Sequence, residues 1–72
     1  MDVVKKIGEQ IKIERKKKGL SQEGLAMKSE IDRAYMSSIE SGQRNISIQV
    51  LYQITSKGLE LKLADFFKEI KM

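Results

Sequence analysis

Residues 21–42, SQEGLAMKSEIDRAYMSSIESG, constrain the fold more than any other part of the chain. They hold two short helical patterns that are separated only by Glu30 and Ile31. Asp32 stands directly before the second pattern and is a residue type that caps helix N-termini, whereas Gly42 follows that pattern, where helices commonly end. The stretch therefore predicts two short helices joined by a turn too tight to be a loop.

The second helical pattern, residues 33–41, separates into an apolar side and a small polar side. At about 100° per residue, Tyr35, Met36 and Ile39 fall together and face a core. The opposite side carries one long side chain and several small ones, namely Arg33, Ala34, Ser37, Ser38 and Ser41. Small outward side chains let a helix approach base edges in a DNA major groove, which is about 12 Å wide. We therefore predict a DNA recognition helix with base-reading candidates Arg33, Ala34, Ser37 and Ser38.

The polar positions around this helix are candidates for DNA contact, and each also has a plainer interpretation. Gln22, in the first turn of the preceding helix, donates its amide to a phosphate or is an ordinary solvated residue. Arg33 reads a guanine or is solvated or phosphate-bound. Arg44 and Asn45 lie in the polar connection 42–47, where they are free to contact a DNA backbone or groove, or simply face water.

The composition excludes several classes of function. The 72 residues contain no Cys and no His, which excludes disulfides, thiol chemistry, the usual zinc sites and histidine-based catalysis. The scattered carboxylates include no nucleophile and base at a plausible spacing, so we expect neither enzyme activity nor a cofactor. Fourteen Lys and Arg against ten Asp and Glu give a net charge of +4, which is compatible with nucleic acid without requiring it.

Length and hydropathy indicate one domain, residues 1–72, without a membrane segment. No apolar run approaches the roughly 18 residues of a bilayer span, and MDVVKKIGEQ lacks the apolar region of a signal peptide. We expect a cytoplasmic protein that makes no membrane contact. So small a domain leaves little room for a small-molecule ligand and is the size at which oligomerisation often adds stability.

Helical periodicity predicts an all-α domain of five helices. Their expected ranges are 3–18, 22–29, 33–41, 48–57 and about 62–70. In the first helix, Arg15 falls on the apolar stripe of Val4, Ile7 and Ile11, where a charge is costly unless a carboxylate meets it. Glu40, on the inner side of the third helix, is the best candidate for that partner.

The last two helices carry many of the remaining large apolar residues. Ile48, Leu51 and Ile54 of the fourth helix are expected to point into the core. The last helix adds four more large apolar side chains, which exceed what so small a core can absorb. We therefore expect a two-fold dimer contact drawn from Leu59, Leu61, Leu63, Phe66, Phe67 and Ile70.

Three segments together resemble the Cro/C1-type (XRE-like) helix-turn-helix family, along nearly the whole chain. They are IGEQIKIERKKKGLSQ, GLAMKSEIDRAYMSSIESGQRNIS and GLELKLADFF. The resemblance implies a compact, lambda-repressor-like fold of five helices. Within the family, DRAYMSSIESGQRNIS at 32–47 looks most like the controller proteins of restriction-modification systems, which are small homodimeric regulators of their own operon and of the endonuclease gene.

The resemblance also implies roles for individual residues. It implies an ion pair between Arg15 and Glu40, base reading by Arg33, Ala34 and Arg44, and phosphate contacts by Gln22, Tyr35, Ser37, Ser41, Asn45 and Ser47. The chain departs from the family at Ala34, where similar controllers often have Thr, at Glu14 and at Lys62. It also has Glu30 where the turn usually has Gly, which is costly if the backbone there is left-handed.

The leading hypothesis is a homodimeric, sequence-specific DNA-binding regulator without catalytic activity. Each protomer would place its recognition helix in a major groove of a near-palindromic, double-stranded DNA operator, with half-sites roughly 34 Å apart. RNA polymerase is a candidate partner of such a regulator. The alternatives are a phage-type repressor or antitoxin with the same fold, and a protein-interaction module that does not bind DNA specifically.

Overall fold

Five α-helices and one π-helical turn make up the regular structure of residues 2–70, which are the residues that the computed structural model describes. The sequence prediction of an all-α fold with five helices is confirmed. None of these helices is both long and apolar enough to cross a membrane. Their bounds are α1 Val3–Lys17, α2 Gln22–Ser29, α3 Arg33–Glu40, α4 Ile48–Gln53 and α5 Leu63–Lys68, with the π-helical turn at Ile54–Gly58.

Short polar side chains fix where four of the helices begin. Each accepts a hydrogen bond from a backbone N–H that the first helical turn would otherwise leave without a partner. Such a cap contributes about 1 kcal/mol. The capping residues are Asp2 for α1, Ser21 for α2, Asp32 for α3 and Ser47 for α4.

The turn between α2 and α3 spans Glu30, Ile31 and Asp32. Glu30 has a φ of 60°, a left-handed conformation that costs an L-residue about 1–2 kcal/mol. The Ile31 N–H donates to the Ala26 carbonyl at 3.0 Å, which closes the turn against α2. Asp32 then accepts from the backbone of Ala34 and of the next residue, at 2.9 and 3.3 Å. The two helices are thus joined as tightly as the sequence predicts, despite the strained position.

The helices enclose one apolar core, against which the recognition helix is packed. α3 approaches α1 closely because Gly8 has no side chain: a Cβ there would overlap the Ile39 carbonyl oxygen. α2 packs against α3 and against the π-helical turn. The buried apolar residues are Ile7, Ile11, Leu25, Ala26, Met36, Ile39, Leu51, Ile54, Leu59 and Phe66.

The fourth helix differs from its prediction in two respects. It does not end near 57 as a single α-helix but changes at Ile54 into the π-helical turn, closed by the Leu59 N–H donating to the Ile54 carbonyl at 2.8 Å. Ile48, expected in the core, is 69% exposed. Helical side chains lean toward the N-terminus, so this first-turn residue extends past the end of α4 while Leu51 lies over the core.

The last helix also differs from its prediction, because α5 folds back onto its own protomer. Leu59 and Phe66 are 0% exposed and belong to the protomer's own core, so the expectation that they form a dimer contact is wrong. Deep burial within one chain leaves no surface for a partner. The other four candidates are half-buried and pack against the core: Leu61, Leu63, Phe67 and Ile70.

Candidate nucleic-acid interface

Helix α3 presents the predicted polar side to solvent. Met36 and Ile39 are buried on its inner side. Ser38 is only half-buried, and its hydroxyl donates to the Ala34 carbonyl at 3.1 Å, so it is turned partly back onto the helix. The remaining outward positions are exposed: Arg33, Ala34, Ser37 and Ser41. An exposed surface of one arginine and three small residues allows a close approach to a groove.

A buried polar network holds α3 to the two preceding helices. The Arg15 Nε and Nη2 donate to the two carboxylate oxygens of Glu40 at 2.8 and 3.1 Å, which is the ion pair that the sequence predicts. The Arg15 Nη1 donates to the Leu20 carbonyl at 2.9 Å, just before α2. A bidentate, charge-assisted pair is strong and directional, so it fixes the orientation of α3 relative to α1.

Gln22 joins the same network. Its amide donates to Glu40 Oε1 at 3.2 Å, an internal contact that the sequence does not predict. A primary amide has two N–H donors, so one remains for a phosphate at the N-terminus of α2. The internal contact therefore orients Gln22 without removing it from the expected interface.

The serine and asparagine candidates differ in their freedom to donate to a phosphate, which only accepts hydrogen bonds. The Ser41 hydroxyl already donates to the Ser38 carbonyl at 3.1 Å, so it must turn to reach a phosphate. Ser47 accepts from the Val50 N–H at 3.1 Å and keeps its own O–H for donation. Asn45 is exposed in the loop before α4.

The loop after α3 returns to the recognition helix. Gly42, with a φ of 75°, lets the chain reverse, and the Gln43 N–H donates to the Ser38 carbonyl at 3.0 Å. The loop then places the Arg44 guanidinium carbon 5.4 Å from the centroid of the Tyr35 ring. The sequence does not predict this contact, because no local pattern links a helical residue to a residue of the irregular loop that follows the helix.

Two arginines at and beside α3 have no carboxylate partner in the part of the chain that the structure describes. Among residues 2–70, neither Arg33 nor Arg44 forms an ion pair within the chain. By contrast, Lys28 is paired with Glu60 at 2.8 Å. Two arginines without internal carboxylates, one on α3 and one in the adjoining loop, suit contact with the phosphates or bases of DNA.

The sequence is similar to a known family and to a named control protein. Residues 11–57 match the Helix-turn-helix family. The control protein C.MunI of Mycoplasma sp. is 42% identical over 71 residues, which cover 97% of this chain and 95% of that protein.

Solved structures of the restriction-modification controller protein C.Esp1396I are similar as well. Its tetramer in complex with its natural 35 base-pair operator superposes with a TM-score of 0.88 and 43% identity, covering 94% of this chain and 88% of that one. C.Esp1396I bound to a 19 base-pair DNA duplex gives a TM-score of 0.87 at 43% identity, covering 94% and 89%. The chain therefore belongs to the helix-turn-helix family of sequence-specific DNA-binding transcriptional regulators and resembles restriction-modification controller proteins along nearly its whole length.

Proposed function

We propose that this chain is the homodimeric controller protein of a restriction-modification system and binds a near-palindromic operator through α3. The observation that carries the proposal is the exposed side of α3, where Arg33 has no ion-pair partner within residues 2–70 and shares the surface with small residues. The similarity to C.MunI and C.Esp1396I supports the controller assignment.

Arg33 is the principal base-reading residue in this proposal. It occupies the first helical position after the Asp32 cap, and the N-terminal residues of recognition helices are those that reach base edges. Ala34 and Ser37 lie beside it with short side chains, so they allow the helix to enter the groove and contact a thymine methyl or a base edge. Ser38 contributes less because its hydroxyl is bonded to its own helix.

Phosphate contacts from both sides of α3 position the helix on the duplex. Gln22 supplies an amide at the N-terminus of α2, and Ser47 supplies a hydroxyl at the start of α4. Such contacts set register without carrying sequence information. Asn45 and Ser41 add to them, the latter after its hydroxyl turns away from the helix.

The proposed dimer uses apolar side chains that one protomer leaves uncovered. Ile48 and Tyr52, one turn apart on α4, are 69% and 58% exposed. Exposed apolar residues on the same helical face are typical of a protein contact. The half-buried residues Leu61, Leu63, Phe67 and Ile70 are available at the edges of the core. A two-fold contact presents two copies of α3 to successive major grooves.

Selection of bound sites from random duplex DNA at about 0.15 M salt tests the proposal. The selected site is then titrated against scrambled DNA at several salt concentrations. We expect a two-fold symmetric motif bound at least about a thousandfold more tightly than scrambled DNA. Absence of any motif, with affinity that follows salt alone, would refute specific reading. Transcription with purified RNA polymerase on a template that carries the motif then tests the polymerase as a partner.

A further inference from the structure

We propose that Tyr35 is a positioning residue that holds Arg44 ready for contact with DNA. The proposal rests on the function proposed above, and it assigns the Tyr35 ring a role of its own, apart from any contact of the hydroxyl. Its basis is the position of the Arg44 guanidinium over the Tyr35 ring, with the guanidinium carbon 5.4 Å from the ring centroid.

The loop that carries Arg44 is anchored at both ends. At its start, the Gly42 N–H donates to the Ile39 carbonyl at 3.1 Å, which together with the Gln43 bond completes a helix-ending motif. At its end, Ser47 caps α4. Ile46, between these anchors, is half-buried against the core. The backbone on both sides of Arg44 is thereby fixed, and what remains to be ordered is the side chain.

The Tyr35 ring orders the Arg44 side chain. The ring is half-buried and packs against the core, so the fold fixes its position. Its electron-rich face attracts a guanidinium within about 6 Å of the centroid. A guanidinium has five N–H donors, and those that do not face the ring stay available to a base or a phosphate. A side chain already held in one orientation loses less entropy on binding, which favours affinity.

A role of the Tyr35 ring and a role of its hydroxyl predict different effects of substitution on DNA binding. A phosphate contact by the hydroxyl, as the family resemblance implies, is lost in Tyr35→Phe. Positioning of Arg44 by the ring is retained in Tyr35→Phe and lost in Tyr35→Leu, where an apolar side chain without a π-face fills the space.

Binding to the selected operator is measured for Tyr35→Phe, Tyr35→Leu, Arg44→Ala and the double variant Tyr35→Leu/Arg44→Ala. We expect Tyr35→Phe to lose only what the hydroxyl contributes, and Tyr35→Leu to bind about two- to fivefold more weakly than Tyr35→Phe. When Arg44 is already Ala, Tyr35→Leu should weaken binding no more than Tyr35→Phe does alone, because the ring acts through Arg44. Equal losses in the Phe and Leu variants, or a Tyr35→Leu loss that stays undiminished when Arg44 is Ala, would overturn the proposal.

A measurement without DNA tests the contact itself. In the free protein, the Arg44 side-chain methylene protons should show upfield ring-current shifts in NMR spectra of the wild type and Tyr35→Phe, but not of Tyr35→Leu. Unshifted protons in the wild type contradict the proposal. Thermal unfolding identifies a Tyr35→Leu protein that has lost its fold, in which case the wild-type spectrum and the Phe variant decide.

The two proposals fail in different ways. If no operator motif is selected, the proposed function fails, whereas the ring-current shifts still report on the contact. If Arg33→Ala abolishes selective binding while Arg44→Ala leaves it unchanged, the proposed function stands and the role of Tyr35 is refuted.

Discussion

Arg15 and Glu40 are joined by two charge-assisted hydrogen bonds of 2.8 and 3.1 Å between α1 and the recognition helix. The side chains are only 11% and 3% exposed. The Leu20 carbonyl and the Gln22 amide add one hydrogen bond each, but neither carries the opposite charge that a buried ion needs. The two residues must therefore be retained or replaced together. The pair therefore links the stability of the domain to the orientation of the helix that reads DNA.

Replacing Glu40 with Ala leaves the Arg15 guanidinium buried without its carboxylate, and we expect the free energy of unfolding to fall by about 3–5 kcal/mol. Urea denaturation followed by circular dichroism measures this change. The double variant Arg15→Met/Glu40→Leu should recover most of the loss, because it removes both buried charges. As a control, Lys57→Ala breaks only the exposed pair with Glu30 and should cost less than about 1 kcal/mol. Similar losses for the two single variants would contradict this account.

Replacing Ser29 should raise the free energy of unfolding, whereas replacing Glu40 should lower it. The Ser29 hydroxyl is fully buried and has no hydrogen-bond partner among the described residues 2–70. Ser29→Ala removes this unsatisfied group, so we expect it to raise the free energy of unfolding by up to about 1 kcal/mol.

Thr55→Val is the matched control for Ser29→Ala. The buried Thr55 hydroxyl donates to the Leu51 carbonyl at 3.1 Å, where α4 changes into the π-helical turn. Its removal should lower the free energy of unfolding by about 1 kcal/mol, as measured by the same urea denaturation. A loss in Ser29→Ala as large as that in Thr55→Val would show that the serine hydroxyl does have a partner.

Glu60 carries the pH dependence that the structure predicts. Its pKa is lowered because Lys28 donates a hydrogen bond to the carboxylate and adds a positive charge, to which Lys18 contributes. A lowered folded-state pKa gives stability that is present above the unfolded pKa and is lost as the pH falls through the folded one. In Lys28→Met, an NMR titration should find the Glu60 pKa raised toward its ordinary value. Lys57→Met should leave it unchanged, and an unchanged pKa in both variants would contradict the pairing.

The features that the sequence predicts correctly are those that local chemistry determines. Asp32 and Ser47 cap helices because the amides they bind lie two or three residues away. Arg15 requires a carboxylate because it falls on an apolar stripe, and few inward-facing acids are available to meet it. Glu40 is predictable on this ground alone, although it lies 25 residues further along the chain.

The features that the sequence does not predict depend on packing between distant segments. Periodicity places Ile48 and Phe66 on apolar faces alike, yet one is 69% exposed and the other 0% exposed. The difference arises from where the ends of α4 and α5 lie relative to the core, which no local sequence pattern predicts. The contact between the Arg44 guanidinium and the Tyr35 ring likewise depends on the path of an irregular loop.

Arg33→Ala tests base reading at α3. Removing the guanidinium should relax the preference at one base pair per half-site by about 1–3 kcal/mol while leaving the fold intact, because Arg33 is exposed. Competition between the selected operator and single base-pair variants measures this loss. Lys12→Ala, which removes an exposed charge on α1, is the control and should preserve the preference at every position. A uniform loss across all sequences in Arg33→Ala would instead indicate a phosphate contact.

Tyr52→Glu tests the proposed dimer contact on α4. The substitution places a charge without a partner in an apolar contact, so we expect the dimer dissociation constant to rise by at least about tenfold, as measured by analytical ultracentrifugation. Met27→Glu is the matched control, since Met27 is 73% exposed on α2 and lies outside the proposed contact. Because a monomer binds only one half-site at a time, Tyr52→Glu should also weaken binding to a full operator more than binding to a single half-site. Dimerisation that is unchanged in Tyr52→Glu but lost in a charged variant of Phe67 would move the two-fold contact from α4 to α5.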